Sequence, residues 1–193
     1  MIRRDLTQLI EAVRENRMAC TLTSNGLLVP RLIGALKGLD TLVLSLDAPG
    51  VSNDRVRGTG VYDKVCAAID AAREAGIPTK LNAVLSAGTV SGLDDLLAFA
   101  ESRDLYLTVN IVRSGSTALW HEATRIKPDD TVIRDALQRF AVIAKRNRRL
   151  LFSLHSYESA ARWPDYSVDR IETNNAHGVW RDIAASAPAC HAG

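Results

Sequence analysis

The chain has 193 residues, of which 47% are hydrophobic and 24% are charged, and this is enough for one domain with its own core. Its net charge of +2 is too small to indicate a nucleic-acid partner or an anionic membrane surface. No apolar run approaches the roughly 20 residues of a membrane span, and no secretory signal opens the sequence, so we expect a cytoplasmic protein.

Apolar runs and helical patterns alternate along the chain. Periodicity predicts helices over 5–17, 27–36, 62–75, 92–103 and 131–147. It predicts strands over 18–23, 41–46, 79–85 and 105–112, with a short fifth strand over 150–154, and loops over 47–60 and 113–130. Repeated strand–helix units imply parallel strands joined by right-handed crossovers, so the sheet is either doubly wound or part of a barrel.

Polar residues follow several of these strands, where parallel α/β folds bind their ligands. The candidates are Ser24, Asn25, Ser45, Asp47, Lys80, Asn82, Ser86, Asn110 and Arg113. Each has a plain structural interpretation, as a turn, a cap or a strand-end hydrogen bond. Together we expect them to share one opening and to suit a ligand with ribose, amino and carboxylate groups.

The order of motifs resembles that of a known family. A Ser-Asn-Gly turn (24–26) precedes a Val-Leu-Ser-Leu-Asp strand end (43–47), an Asn-Asp-Arg-Val-Arg-Gly segment (53–58) and a Gly-Ile-Pro-Thr-Lys-Leu-Asn strand (76–82). This order is similar to that of the radical S-adenosylmethionine (SAM) superfamily. The nearest branch contains the molybdenum-cofactor cyclase and peptide-modifying enzymes with a SPASM or twitch extension. Asn53 stands where that branch usually has a histidine.

The resemblance implies an α/β fold with an incomplete parallel (β/α)6 TIM-like barrel of four to five strands. It divides the chain into a partial barrel (1–155) and a linker with the start of a SPASM/twitch-like extension (156–193), in which Cys190 would ligate an auxiliary cluster. The family holds a catalytic 4Fe-4S cluster on a Cys-x-x-x-Cys-x-x-Cys loop. Because Cys20, Cys66 and Cys190 lie far apart, we expect a fragment that lacks this loop.

By position, the resemblance assigns SAM-binding roles to Ser24, Asn25, Ser45, Asp47, Arg57, Lys80 and Asn82. It implies reductive cleavage of SAM to a 5′-deoxyadenosyl radical that abstracts a hydrogen from a peptide or small-molecule substrate. The electron would come from a donor such as flavodoxin or ferredoxin. A cluster-free binding module or pseudoenzyme is the alternative. An ordinary TIM-barrel enzyme is a third hypothesis, which requires eight strands where the sequence predicts four or five.

Overall fold

The computed structural model describes residues 5–112, 127–151 and 154–162. Its strands are β1 (Thr21–Ser24), β2 (Thr41–Ser45), β3 (Thr79–Leu85) and β4 (Tyr106–Ile111). Its helices are α1 (Leu6–Glu15), α2 (Val29–Leu32), α3 (Val51–Arg57), α4 (Val61–Glu74), α5 (Leu93–Ser102), α6 (Asp130–Ala144) and α7 (Leu154–Ala161). Short 3₁₀ turns cover Ile33–Leu36 and Val90–Gly92.

The four strands form one parallel sheet in the order β1-β2-β3-β4. Strands that follow one another in sequence are therefore neighbours in the sheet, without the reversal that marks a doubly wound fold. Beside β4, Leu150 forms a parallel bridge with Leu107. The predicted fifth strand is thus reduced, in the described residues, to one bridge that continues the same progression. This sequential order is that of a partial TIM-like barrel, as predicted.

The two faces of the sheet differ in chemistry because successive side chains in a strand point to opposite sides. One face packs against the helices and is fully apolar at its centre. Its strand residues include Leu42, Leu44, Leu81, Ala83, Leu85, Leu107 and Val109, which cluster with Val65, Ala68 and Ile69 of α4 and with Phe140 of α6. The alternate strand residues form the opposite face, which is mostly polar. Within the described residues, the hydrophobic core thus lies between the sheet and the helices.

Helix α3 lies inside the segment predicted as a loop. Its only large apolar side chains are Val51 and Val56, which are 68% and 44% exposed. The segment therefore has no apolar stripe from which a helix could be recognised. Gly50, with φ of 61°, lets the chain turn sharply before the helix. Polar contacts of Asn53 and Arg57 with the strand end, described below, hold α3 in place.

Helix α7 runs across the predicted domain boundary at 155–156. Tyr157 is buried, and its ring lies 5.3 Å from that of Phe140 on α6, measured between centroids. In the described part of the chain, α7 therefore packs as part of the barrel domain. None of the described helices combines the length and the apolar content that crossing a bilayer requires.

Candidate functional site

The polar face of the sheet is arranged in rows, because the parallel strands are in register. A lower row contains Thr23, Val43, Lys80 and Tyr106, and a middle row contains Ser45, Asn82 and Thr108. Asp47, two residues beyond Ser45, reaches the level of Val84 and Asn110 in an upper row. Successive rows are about 7 Å apart along the strands. The face thus presents hydroxyl, amide, ammonium and carboxylate groups in a short ascending series.

Ser45 and Lys80 offer open polar groups on this face. Both side chains are half-buried, and neither makes a side-chain hydrogen bond or ion pair within the described parts of the chain. Lys80 is the second residue of β3, so it lies roughly 13 Å below the level of Asp47. The predicted cation is therefore on the expected face but deep within it, and away from the rim.

Asn82 stands at the centre of a small polar network. Its Oδ1 accepts a hydrogen bond of 2.7 Å from Asn110 Nδ2. Thr108 Oγ1 lies 3.0 Å from the same oxygen and 3.1 Å from the carbonyl oxygen of Leu81. These contacts occupy Oδ1 and fix the amide group, and its Nδ2 donates no hydrogen bond within the described residues. Thr108 was missed in the sequence because a threonine inside a strand carries no signal beyond its β-propensity.

Asp47 is paired at the upper row. Its carboxylate accepts from Arg57 at both oxygens, Nε to Oδ2 at 2.7 Å and Nη2 to Oδ1 at 2.8 Å. Oδ1 also accepts the backbone N–H of Val84 at 2.8 Å. Only 4% of the Asp47 side chain is exposed, against 24% for Arg57. Asp47 and Arg57 were each predicted to contact SAM, but in the structure they form an ion pair with each other.

The residues after Asp47 organise the approach to α4. Asn53 is fully buried, and its Oδ1 accepts the backbone N–H of Asp47 at 3.1 Å. Asp54 accepts the N–H of Tyr62 at 2.8 Å and that of Gly60 at 2.6 Å. These two hydrogen bonds hold the pKa of the Asp54 carboxyl below its ordinary value of 3.8. Neither role was predicted, because each depends on how the loop folds back on itself.

Ser24 and Asn25 close the turn after β1. Ser24 Oγ accepts the N–H of Gly26 at 3.1 Å, and Asn25 Oδ1 accepts that of Leu27 at 3.2 Å. Ser24 is the register partner of Leu44, so alternation places it on the helix side of the sheet, unlike Ser45, Lys80 and Asn82. The expectation that all these side chains share one face is thus met by the β2 and β3 residues but not by Ser24. A SAM contact of Ser24 or Asn25 stays a prediction.

The cysteines offer no site in the described part of the chain. Cys20 and Cys66 are half-buried and free. Among the residues that the structure describes, no group of three or more His, Cys, Asp or Glu side chains could hold a metal ion. These residues therefore do not fit an iron–sulfur cluster. Cys190, predicted as an auxiliary-cluster ligand, and Arg113 lie outside the described residues.

A cleft of about 500 Å³ lies at the amino-terminal ends of β3 and β4, opposite the carboxyl ends of the strands. Arg73, Pro78, Arg103 and Asp104 are among its lining residues. Its charges are largely compensated, since Arg103 pairs with Asp70 at 2.6 Å and Asp104 pairs with Arg149. Because parallel α/β folds place chemistry at the carboxyl ends of their strands, the polar face remains the candidate site.

Known proteins resemble the chain in both sequence and fold. The model of the radical SAM superfamily matches residues 1–100. A GTP 3′,8-cyclase of Rhizobium etli is 41% identical over 93 residues, which are 46% of this chain and 27% of that protein. A probable GTP 3′,8-cyclase of Sulfurisphaera tokodaii is 36% identical over 104 residues, 51% and 33% of the two chains. The chain spans about a quarter to a third of the length of these two curated relatives.

Among solved structures, Streptococcus suis SuiB bound to S-adenosylmethionine aligns with a TM-score of 0.61 and 22% identity, over 78% of this chain and 36% of SuiB. The structure of anSMEcpe with bound AdoMet and Kp18Cys peptide aligns with a TM-score of 0.57 and 14% identity, over 70% and 41% of the two chains. At these identities the likeness supports the fold alone. The sequence match covers just over half of the chain. The chain therefore belongs to the radical SAM superfamily.

Proposed function

We propose that this chain supplies the SAM-binding face of a radical SAM enzyme, and that Ser45, Lys80 and Asn82 contact the cofactor. The observation that carries the proposal is the register pairing of Ser45 with Asn82. Lys80, which has no side-chain partner among the described residues, lies on the same face. An ammonium group suits the SAM carboxylate, while a hydroxyl and an amide suit its ribose and amino groups. The residues on this face therefore fit SAM by their chemistry.

The radical step needs more than this face supplies. In the superfamily an iron–sulfur cluster, of the 4Fe-4S type by resemblance, provides the electron that cleaves SAM to the 5′-deoxyadenosyl radical. A flavodoxin or ferredoxin would reduce that cluster in the cytoplasm. Since the described residues do not fit a cluster, we assign to them the binding and orientation of SAM.

The substrate is proposed to be a peptide or a small molecule that meets SAM at the open side of the sheet. Two groups of relatives suggest these classes. The relatives identified by sequence are named for GTP, and a solved SuiB structure holds the precursor peptide SuiA. The polar face, with the half-exposed Tyr106 at its lower row, is where we propose that either class meets the cofactor.

Calorimetric titration of the 193-residue chain with SAM tests the binding proposal. We expect saturable binding that weakens about tenfold or more in Lys80→Ala, because a charge-assisted hydrogen bond is lost. Ser45→Ala and Asn82→Ala should weaken it by a smaller factor. Matched controls are Lys64→Ala on helix α4 and Ser102→Ala, which is beside the cleft where β3 and β4 begin; both residues are exposed. Equal affinity in Lys80→Ala and Lys64→Ala would refute the assignment of Lys80.

A second candidate function is a cluster-free binding module. The scattered cysteines favour it, because three clustered thiolates are what the family uses to hold its catalytic iron. Anaerobic reconstitution with iron and sulfide tests both candidates against a third case, in which this polypeptide alone forms the catalytic cluster. We expect no SAM-cleaving 4Fe-4S centre on this polypeptide, and formation of one would contradict both. The reading frame immediately upstream then distinguishes them, since a cysteine loop encoded there favours the enzyme.

A further inference from the structure

We propose that Asp47 and Arg57 are positioning residues that lock the β2–β3 junction beneath helix α3, and that they do not bind SAM directly. We call the set Asp47, Asn53, Arg57 and the N–H of Val84 the Asp47 clamp. The inference deepens the proposed function, and rests on it for the identity of the ligand. It changes the role that the family resemblance implies for two of the predicted site residues.

The Asp47 carboxylate extends the parallel ladder where the main chain of β2 leaves it. The N–H of Leu46 donates to the carbonyl oxygen of Asn82 at 3.1 Å, as in a regular ladder. One step further along β3, the N–H of Val84 donates instead to Asp47 Oδ1 at 2.8 Å. A side chain therefore satisfies a strand N–H that would otherwise lose its partner as β2 ends.

Helix α3 holds Asp47 from two directions. Arg57, its last residue, forms a two-pronged contact with both carboxylate oxygens. Asn53, one turn earlier, accepts the N–H of Asp47 itself at 3.1 Å. Main chain and side chain of one residue are thus fixed by the same helix. Because α3 has no apolar stripe, these polar contacts are its principal attachment to the sheet.

The same contacts argue against Asp47 as a ribose ligand. The Asp47 side chain is only 4% exposed. Its two oxygens already accept three hydrogen bonds, two from the Arg57 guanidinium and one from the N–H of Val84. Such charge-assisted, forked contacts are roughly twice as strong as neutral hydrogen bonds. A ribose hydroxyl would have to displace one of them and would return a weaker bond. The stronger hydrogen bonds therefore favour an Asp47 carboxylate that remains paired with Arg57 and does not bind the ribose.

The clamp acts one step above the residues that we assign to SAM. Ser45 and Asn82 are register partners on β2 and β3, and Asp47 ties the same two strands at the next polar row. Fixing that junction sets the separation of the Ser45 hydroxyl and the Asn82 amide. Loss of the clamp should therefore weaken every contact of the ligand together, whereas loss of a direct contact should weaken one.

Titration with S-adenosylhomocysteine and its 2′-deoxy analogue separates these outcomes. We expect Arg57→Ala and Asp47→Ala each to weaken both ligands about tenfold, with the affinity ratio of the two ligands unchanged from that of the wild-type chain. The double variant should bind no more weakly than either single one, because the pair acts as a unit. Arg55→Ala, an exposed arginine on the same helix, is the control. A ratio that falls to one in Asp47→Ala would overturn the proposal.

Amide hydrogen exchange, measured by NMR without ligand, gives an independent readout. We expect the Val84 amide to exchange faster in Asp47→Ala and Arg57→Ala, while that of Leu81 in the same strand keeps its protection. The charge-swapped pair Asp47→Arg with Arg57→Asp should not restore Val84, since arginine cannot accept its N–H. Restoration by the swap would refute the clamp. No binding by the wild-type chain would instead refute the proposed function, whatever Val84 shows.

Discussion

At the scale of single residues, position in a strand decides what a polar side chain does. Ser45, Lys80 and Asn82 were predicted from the sequence, and the register places them on one face. Ser24 was predicted on the same grounds, but it pairs with Leu44 and serves its own turn. The difference is one step of alternation, which a four-residue strand with a mixed pattern does not reveal.

The contribution of Asp54 to the stability of the fold should depend on pH. Its pKa is lowered in the folded chain by the N–H groups of Tyr62 and Gly60. A lowered folded pKa stabilises the fold above the ordinary value of 3.8, and this stabilisation is lost as the pH falls through the folded pKa. The difference in unfolding free energy between wild type and Asp54→Ala should thus be largest near pH 6 and shrink below pH 4.

Urea unfolding at a series of pH values measures this difference. Gln138→Ala is a suitable control, because Gln138 is exposed on α6 and carries no titrating group, so its difference should stay constant with pH. A difference for Asp54→Ala that grows as the pH falls would contradict a stabilising role for the hydrogen bonds that Asp54 accepts from Tyr62 and Gly60.

At the scale of elements, the strands and the amphipathic helices were predicted within a few residues of their observed bounds. Strand β3 was predicted over the residues it occupies, 79–85, where the apolar residues Leu81, Ala83 and Leu85 alternate with other positions after the break at Pro78. Helix α3 was missed because tertiary hydrogen bonds, and not a buried stripe, hold it. Helix α7 was missed because its eight residues begin at Leu154, the last residue of the predicted short strand, and the helical pattern beyond Ser156 is weak.

Packing between α6 and α7 can be tested at Phe140. Its side chain is fully buried and lies against the ring of Tyr157, so Phe140→Ala leaves a cavity between the two helices. We expect a loss of about 3–5 kcal/mol in unfolding free energy, measured in urea. Val142→Ala on the same helix, at a position 57% exposed, should cost no more than about 0.5 kcal/mol. Equal losses would show that α7 does not cover Phe140.

At the scale of the whole molecule, the described part of the chain forms a sheet with helices on one face and a mostly polar opposite face. Strand β1 pairs only with β2 in the described structure, so its outer edge presents unpaired backbone groups. An exposed strand edge is a template for association with other chains.

Thr21→Lys should therefore reduce self-association. Thr21 is exposed on β1, and a lysine on an edge strand opposes the approach of a second edge. We expect light scattering to rise with concentration in the wild-type chain and to rise less in this variant. Gln138→Lys adds the same charge on α6 and should have a smaller effect. A wild-type monomer that unfolds sharply and reversibly would contradict the edge argument.

The sequence by itself determined the family, the parallel strand–helix order and the polar residues on β2 and β3, because periodicity and motif order are local properties of a chain. Only the tertiary structure decided the partners of those residues. Val84 and Asp47 are 37 residues apart in sequence and meet because two strands happen to be in register, while Arg57 reaches the same carboxylate from a helix that has no apolar signature. Contacts of this kind depend on distances across the fold, which no pattern along the chain encodes.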